Sequence, residues 1–242
     1  MLDIQAIKKQ RFDTLWDRIN ATEDMYPEES KLRIEQPLLA GKGQYIFDIK
    51  NAVVDGVVEH HLDRNDVFVP NAWSVLIGIK DKNTGVETLH SYIPFNDGVN
   101  PSAHAVGFTN DDIKSLYSGF MAWNLDNKVV LSAYPMEKFQ KVPRTQPCFV
   151  LDSNDAAVNE GIQSEWTLDK ALELIMPMYV IAGTRDHKIS VNFPAAGLTF
   201  PLNDADYEAR LVLLMDGFLV KGGCEYKGGS GRNPFGQAVG QW

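Results

Sequence analysis

The chain has 242 residues, of which 44% are hydrophobic and 23% charged, and its formal net charge is −9. That composition is ordinary for a globular protein and supplies enough apolar material for one large β-domain or two small ones. The acidic balance excludes a general nucleic-acid-wrapping role, which needs a basic face, and no apolar run reaches the ~20 residues of a membrane helix.

Residues 3–20 carry the helical pattern. Asp3 stands where an N-cap is needed, and Ile4, Ile7, Phe12, Leu15, Trp16 and Ile19 recur at helical spacing on one face. Two readings follow. The helix packs on its own domain, or Ile4, Phe12, Leu15, Trp16 and Ile19 form a docking face for a neighbouring subunit. The N-terminus has no hydrophobic signal core, so the sequence predicts an intracellular product or one released by lysis. Ala21–Lys31, with Pro27, reads as a linker or an exposed turn, giving a first segment over residues 1–30.

From Leu32 the period becomes two. Residues 33–36 and 44–49 alternate around Gly41-Lys42-Gly43, which predicts a hairpin. Val57–Leu62 suggests another strand, and Asp63-Arg64-Asn65-Asp66 a polar turn into Val67-Phe68-Val69. Trp73–Lys80 and Glu87–Ile93, joined by Asp81–Gly85, predict a second hairpin. Pro94–Gly107 reads as a long surface loop, and a short helix can start at Asn110 or Asp111 and run to Tyr117. Phe120–Trp123 and Lys128–Ala133 flank another turn, Asn124–Asn127. Cys148–Leu151 suggests a strand, Ser153–Gln163 a small-residue acidic loop, and Thr167–Leu174 one or two helical turns.

The tract Pro177–Pro194 is the most informative. An apolar run, a tight polar turn and an alternating strand follow one another, and the long apolar run Ala209–Lys221 comes next. A looser copy of the pattern begins at Pro37, which lies 140 residues before Pro177. The sequence therefore predicts β-hairpins arranged twice around one sandwich or two fused ones. Ile46, Val75, Ile77, Val191, Leu211 and Leu213 are the expected core between sheets. Beyond the sandwich, assigned to residues 31–222, residues 223–242 form a Gly-rich C-terminal arm. Residues 222–242 hold seven glycines and no amphipathic period. Such a segment cannot build its own core, so Tyr226, Phe235 and Trp242 are its anchors on some other surface.

Motifs for chemistry are sparse. Glu59-His60-His61 with Asp63 is the best metal candidate, but adjacent histidines on a strand point to opposite faces, and a solvated strand face accounts for them better. His90, His104 and His187 are isolated. There is no Gly-x-Ser-x-Gly, and the late glycine-rich run lacks the Gly-Lys-Ser/Thr end of a phosphate-binding loop. Cys148 and Cys224 read as free buried thiols rather than a disulfide framework. The tryptophans at 16, 73, 123, 166 and 242 are scattered, which favours core packing over a sugar platform. No catalytic residue, cofactor or metal is assigned.

Several blocks carry a resemblance: Leu32-Arg-Ile-Glu-Gln-Pro-Leu with its Gly-rich turn, Tyr45-Ile-Phe-Asp-Ile, Leu62-Asp-Arg-Asn-Asp-Val-Phe-Val, and Ala182-Gly-Thr-Arg-Asp-His-Lys-Ile-Ser-Val-Asn-Phe-Pro. Their arrangement, over most of residues 30–222, resembles jelly-roll virion proteins, especially capsid proteins of bacteriophages infecting Bacteroidetes. The resemblance implies an all-β, antiparallel jelly-roll-like β-sandwich that self-assembles, with an N-terminal helix and an extended C-terminal arm. It implies a non-enzymatic structural protein whose partners are copies of itself and other virion proteins, made in the host cytoplasm and located in the virion. Two complete eight-stranded rolls would leave about 120 residues each, so a single roll with long loops and a compact double roll both stay open. A carbohydrate- or receptor-binding β-sandwich using loops 94–107 and 153–163, and a cupin-like metalloenzyme using Glu59 and His61, are the competing expectations.

Overall fold

The structure is a computed structural model that describes residues 4–19, 26–49, 62–91, 115–126, 128–141, 145–151, 157–164, 171–193 and 206–225. A helix, α1 (Ile4–Ile19), precedes β1 (Pro27–Pro37), β2 (Gln44–Asp48), β3 (Val67–Asp81) and β4 (Glu87–His90). Then come β5 (Phe120–Leu125), β6 (Lys128–Pro135), a 3-10 turn (Met136–Phe139), β7 (Thr145–Leu151) and β8 (Ala157–Ser164). The chain continues through β9 (Glu173–Leu174), β10 (Ile181–Ala182), β11 (His187–Asn192) and β12 (Tyr207–Val220).

Two antiparallel sheets form one sandwich. The larger runs β1-β12-β3-β10, and the smaller runs β2-β11-β5-β6. The free side of β3 is closed in succession by β10 at Phe68, β9 at Ala72–Trp73 and β4 at Ile77–Lys80. Strands β7 and β8 pair separately. The two pattern copies do not build two rolls among the described residues. They interleave, because β2 pairs with β11 and β3 with β12.

Burial explains the strand sequences. Between the sheets, Tyr45, Phe47, Met121, Trp123, Ile189 and Val191 meet Ile34, Trp73, Val75, Ile77, Leu211 and Leu213. Trp73 packs on Trp123 at 6.1 Å and edge-on to Phe139 at 5.8 Å. Tyr117 donates its hydroxyl to the Val75 carbonyl at 2.7 Å, which satisfies a fully buried phenol. The larger sheet is also covered outside. At one end Leu15 joins Val67, Val69, Phe218 and Val220, and at the other Ala171 joins Leu76, Val212 and Leu214. A sheet buried on both faces needs near-continuous apolar strands, as β3 and β12 are. The smaller sheet has one buried face, so β2 and β11 alternate.

Several expectations are corrected. Ile46, expected in the core, is 49% exposed, while its neighbours Tyr45 and Phe47 are buried. In a strand of period two, only one of the two sets faces inward, and burying two aromatic rings outweighs burying one Ile. Tyr45 fixes this register further, because its hydroxyl both accepts from the Leu39 N–H at 2.9 Å and donates to the Leu39 carbonyl at 3.1 Å. The other five expected core residues, Val75, Ile77, Val191, Leu211 and Leu213, are buried.

The expected hairpin of residues 33–36 with 44–49 does not form. Strand β1 is taken by β12 over Pro27–Pro37, and β2 lies in the other sheet. Likewise the tight turn after Ala182 joins no hairpin but carries the chain from the larger sheet to the smaller. The β1 ladder begins at Pro27, inside the expected linker, with proline at a first strand position where no ladder donor is required. Residues 157–164 are a strand rather than a loop. Glu173–Leu174, read as part of a helical turn, pair with β3. The hairpins β3–β4 and β5–β6 form where the turn residues place them.

Candidate functional site

One end of the sandwich gathers four chain segments. Residues 62–66 lead into β3, Asp126 follows β5, residues 183–186 join β10 to β11, and residues 221–225 leave β12. Backbone bonds stitch them together. Gly183 donates to the Asp66 carbonyl at 2.9 Å, and Cys224 to the Asn65 carbonyl at 2.8 Å. The Gly222 N–H donates to Asp66 Oδ1 at 2.8 Å, which ties the C-terminal turn to the loop before β3. Glycine at 183 is required by space, since a Cβ there would stand 2.0 Å from the Asp63 carbonyl oxygen.

Asp126 closes the other side. Arg185 Nε donates to Asp126 Oδ2 at 2.9 Å, and the Asp186 N–H donates to Oδ1 at 3.1 Å. Arg185 and that backbone donor hold the Asp126 carboxyl below its ordinary range. Asp126 itself sits in the left-handed region, φ 49°, which aspartate tolerates better than most residues.

His187 lies just beneath, in the core beside Trp123 at 6.1 Å between ring centres. Its Nε2 accepts the Ala182 N–H at 3.3 Å. That assigns the ring hydrogen to Nδ1, which has no partner among the described residues. Burial lowers its pKa to about 4, against the opposing pull of Asp126. The ring is neutral at neutral pH and acts as a strut between the two sheets.

Outside the strut is an open cleft of about 850 Å³ whose walls include Asp63, Arg64, Asp66, Thr184 and Glu225. Carboxylates, one guanidinium and a hydroxyl face it. Such groups bind polar ligands by hydrogen bonds and charge. The Cys224 thiol donates to the Asp66 carbonyl at 3.1 Å. Sequence reading singled out the 62–69 and 182–194 blocks separately. No local signal could have shown that they share a wall.

The helix face expected to dock is partly spent on this chain. Leu15 is buried against the larger sheet, and Phe12 meets Phe218 edge-on at 5.4 Å. Arg11, outside the apolar face of the helix, is the clamp. Its guanidinium donates to the carbonyls of Asn71 at 3.1 Å and Ile175 at 2.5 Å, and burial lowers its pKa. Asn71 is the extra residue of a bulge, since Gly217 aligns with Pro70 and Asp216 with Ala72. Lys8 adds ion pairs to Glu29 and Asp216, each 3.1 Å. Trp16 remains exposed beside Phe12. The side chains of Ile4 and Ile19 lie outside the described residues.

The arm anchors Tyr226, Phe235 and Trp242 also lie outside them, as do Glu59, His60, His61, His104 and the 94–107 loop. His90 is buried and bonded to the Thr88 hydroxyl at 2.8 Å. Among the described residues, no group of three or more His, Cys, Asp or Glu side chains is placed to hold a metal. No described helix is long and apolar enough to cross a membrane. No protein-family model matches the chain, and neither a curated protein nor a solved structure is similar to it.

Proposed function

We propose that this chain is a virion structural protein, a self-assembling phage capsid protein built on a single jelly roll. The observation that carries the reading is the strand order. Taking β1, β2, β3, β5, β6, β10, β11 and β12 as first to eighth, the first pairs with the eighth, the second with the seventh, the third with the sixth and the fourth with the fifth. That nesting is what a long antiparallel hairpin produces when it rolls up into two sheets. In our reading it is the double Greek key of a jelly roll, a fold that virus capsids, lectins and cupins use. Fold alone does not give function. The capsid reading also draws on the resemblance of the blocks around residues 32–38, 45–49, 62–69 and 182–194, and on a glycine-rich, aromatic-anchored tail.

In this reading the partners are copies of the chain and other virion proteins, and the tail ties subunits together. Glu225, the residue before this segment, lines the cleft. Fixing each backbone residue costs about 1–2 kcal/mol, so Tyr226, Phe235 and Trp242 need a surface that repays it. Electron microscopy and light scattering of the purified protein test the reading. Assembled particles or large oligomers are expected, and deletion of residues 226–242 should leave a folded protein that assembles poorly. A full-length protein that stays monomeric at every concentration refutes it.

The polar cleft favours one second reading, a carbohydrate- or receptor-binding module. A glycan array separates the two, because specific binding lost on Asp66→Ala or Arg64→Ala requires a ligand site that shell assembly does not.

A further inference from the structure

The two sheets differ on their outer faces. The larger is covered by α1 and by Ala171–Leu172. The smaller presents Ile46 at 49%, Phe120 at 48% and Val129 at 64% exposure. Register places these on one surface. Ile46 and Ala122 both align with Ser190, Phe120 aligns with Asn192, and Val129 with Asn124. The middle of the face is recessed, because Ser190, 9% exposed, and Ala122 are smaller than Ile46 and Phe120 around them.

Charge distinguishes this surface further. Copies of a chain with net charge −9 repel one another. On the outward positions of β2, β11 and β5, the charged residues are Asp48 and Lys188, which stand opposite each other in register. The face is therefore locally neutral, and depletion of charge at its centre is the compositional mark of an interface.

We infer that the outer face of the smaller sheet, centred on Ile46, Ser190 and Ala122, is a self-association surface whose occupant is the same face of a second copy. This rests on the assembly reading and specifies where assembly occurs. A two-fold axis lying in the face along that central row stacks Ile46 on Ile46 of the second copy. It sets Lys188 against Asn192, Asp48 against Gln44 and Phe120 against Asn124 of the second copy, so no like charges meet. Four strands about 4.8 Å apart and some six residues long at ~3.3 Å each give a footprint of about 400 Å². That is half of the ~800 Å² each partner contributes to a standard interface. The contact is weak and reversible by itself, and it gains strength when repeated and joined to the tail.

The test is the protein concentration at half-association, followed by sedimentation velocity and light scattering on the full-length chain. Ile46→Asp puts a carboxylate on the axis against its own copy, and Val129→Asp puts one at the margin. Both side chains point outward, so circular dichroism should report unchanged folding. Ile46→Asp should raise the half-association concentration about tenfold or more. Val86→Asp, at an exposed turn position of the other sheet, should leave it unchanged. If Ile46→Asp fails to fold, Val129→Asp alone decides, with a smaller shift in the same direction. Folded variants that associate at the wild-type concentration, while deletion of residues 226–242 abolishes association, would overturn the face and leave the assembly reading intact. Normal self-association with loss of binding to another virion protein would assign the face to that protein and overturn the proposal. A wild-type chain that never associates overturns both.

Discussion

Acidification should weaken this fold through His187, and by an amount the geometry sets. The ring is 2% exposed, its Nε2 is occupied by the Ala182 N–H, and its Nδ1 hydrogen has no partner among the described residues. Burial lowers its pKa from 6.5 to about 4. The unfolded chain therefore binds a proton that the folded chain refuses between those values. With the folded pKa depressed, the stabilisation is complete above pH 6.5, falls as pH drops towards 4, and is gone below it. The whole span is worth about 3 kcal/mol, of which about 2 kcal/mol is lost on going from neutral pH to about pH 5. Carboxylates titrate in the same region, so the measurement is a difference. Urea midpoints of wild type and His187→Gln are compared at pH 7.5 and 5. The glutamine keeps an acceptor for Ala182 and does not titrate. It should be less stable than wild type at neutral pH and should show a pH slope smaller by about 2 kcal/mol. Equal slopes in the two proteins would refute the reasoning, and so would an NMR titration of the His187 ring with a midpoint near 6.5.

Three further outcomes follow from the packing. Phe47→Ala should cost about 3–5 kcal/mol, whereas Ile46→Ala should cost under about 1 kcal/mol; thermal or urea unfolding that reverses this order would show that β2 is in the other register. Gly183→Ala drives a Cβ to within 2.0 Å of the Asp63 carbonyl, so it should lower stability by about 1–3 kcal/mol and raise hydrogen exchange at Gly183 and Cys224. Arg210 pairs with the buried Glu35 at 2.8 Å and with Glu208 at 3.0 Å; burial pulls its pKa down, and the bonds to Glu208 and Glu35 more than restore it. Arg210→Met should cost on the order of 3 kcal/mol in the same unfolding assay, because it strips one cation from a buried carboxylate.

Turn chemistry is a local signal in the sequence, whereas the pairing of distant strands is not. The turns at 81–85 and 124–127 joined the strands they flank, because turn chemistry acts over a few residues. Asp81 shows how: its Oδ1 accepts from the Asn83 N–H at 2.7 Å and the Thr84 N–H at 3.2 Å. The apolar runs Val67–Val69 and Trp73–Lys80 announced strands, which the structure joins into one, β3. The turns after Pro37 and Ala182 carry equally good turn residues, yet each crosses between sheets. Nothing local tells a hairpin from a crossover, since the decision lies with the partner strand far along the chain. Ile46 was misplaced because Tyr45-Ile46-Phe47 is apolar throughout and alternation alone cannot choose its inward set. The strand at 157–164 was hidden by its small and polar residues. The cleft required contacts between residues 63–66, 184 and 222–225, and the Arg11 clamp reached from the helix to residues 71 and 175. Sequence spacing holds no record of either.

The position of β12 has a consequence for biosynthesis. This strand is the last described element of the chain, yet it lies in the interior of the larger sheet, bonded to β1 along one side and to β3 along the other. While residues 207–220 are still inside the ribosome, β1 and β3 have emerged with a strand-wide slot between them. The earlier strands cannot close that slot without displacing the register that β12 needs. The larger sheet therefore closes by insertion once β12 has emerged, and its rate is governed by contacts of long sequence separation, which places folding in the slow, milliseconds-to-seconds range of β-sandwiches. During that interval two open edges compete for any strand within reach, including one from a neighbouring nascent chain.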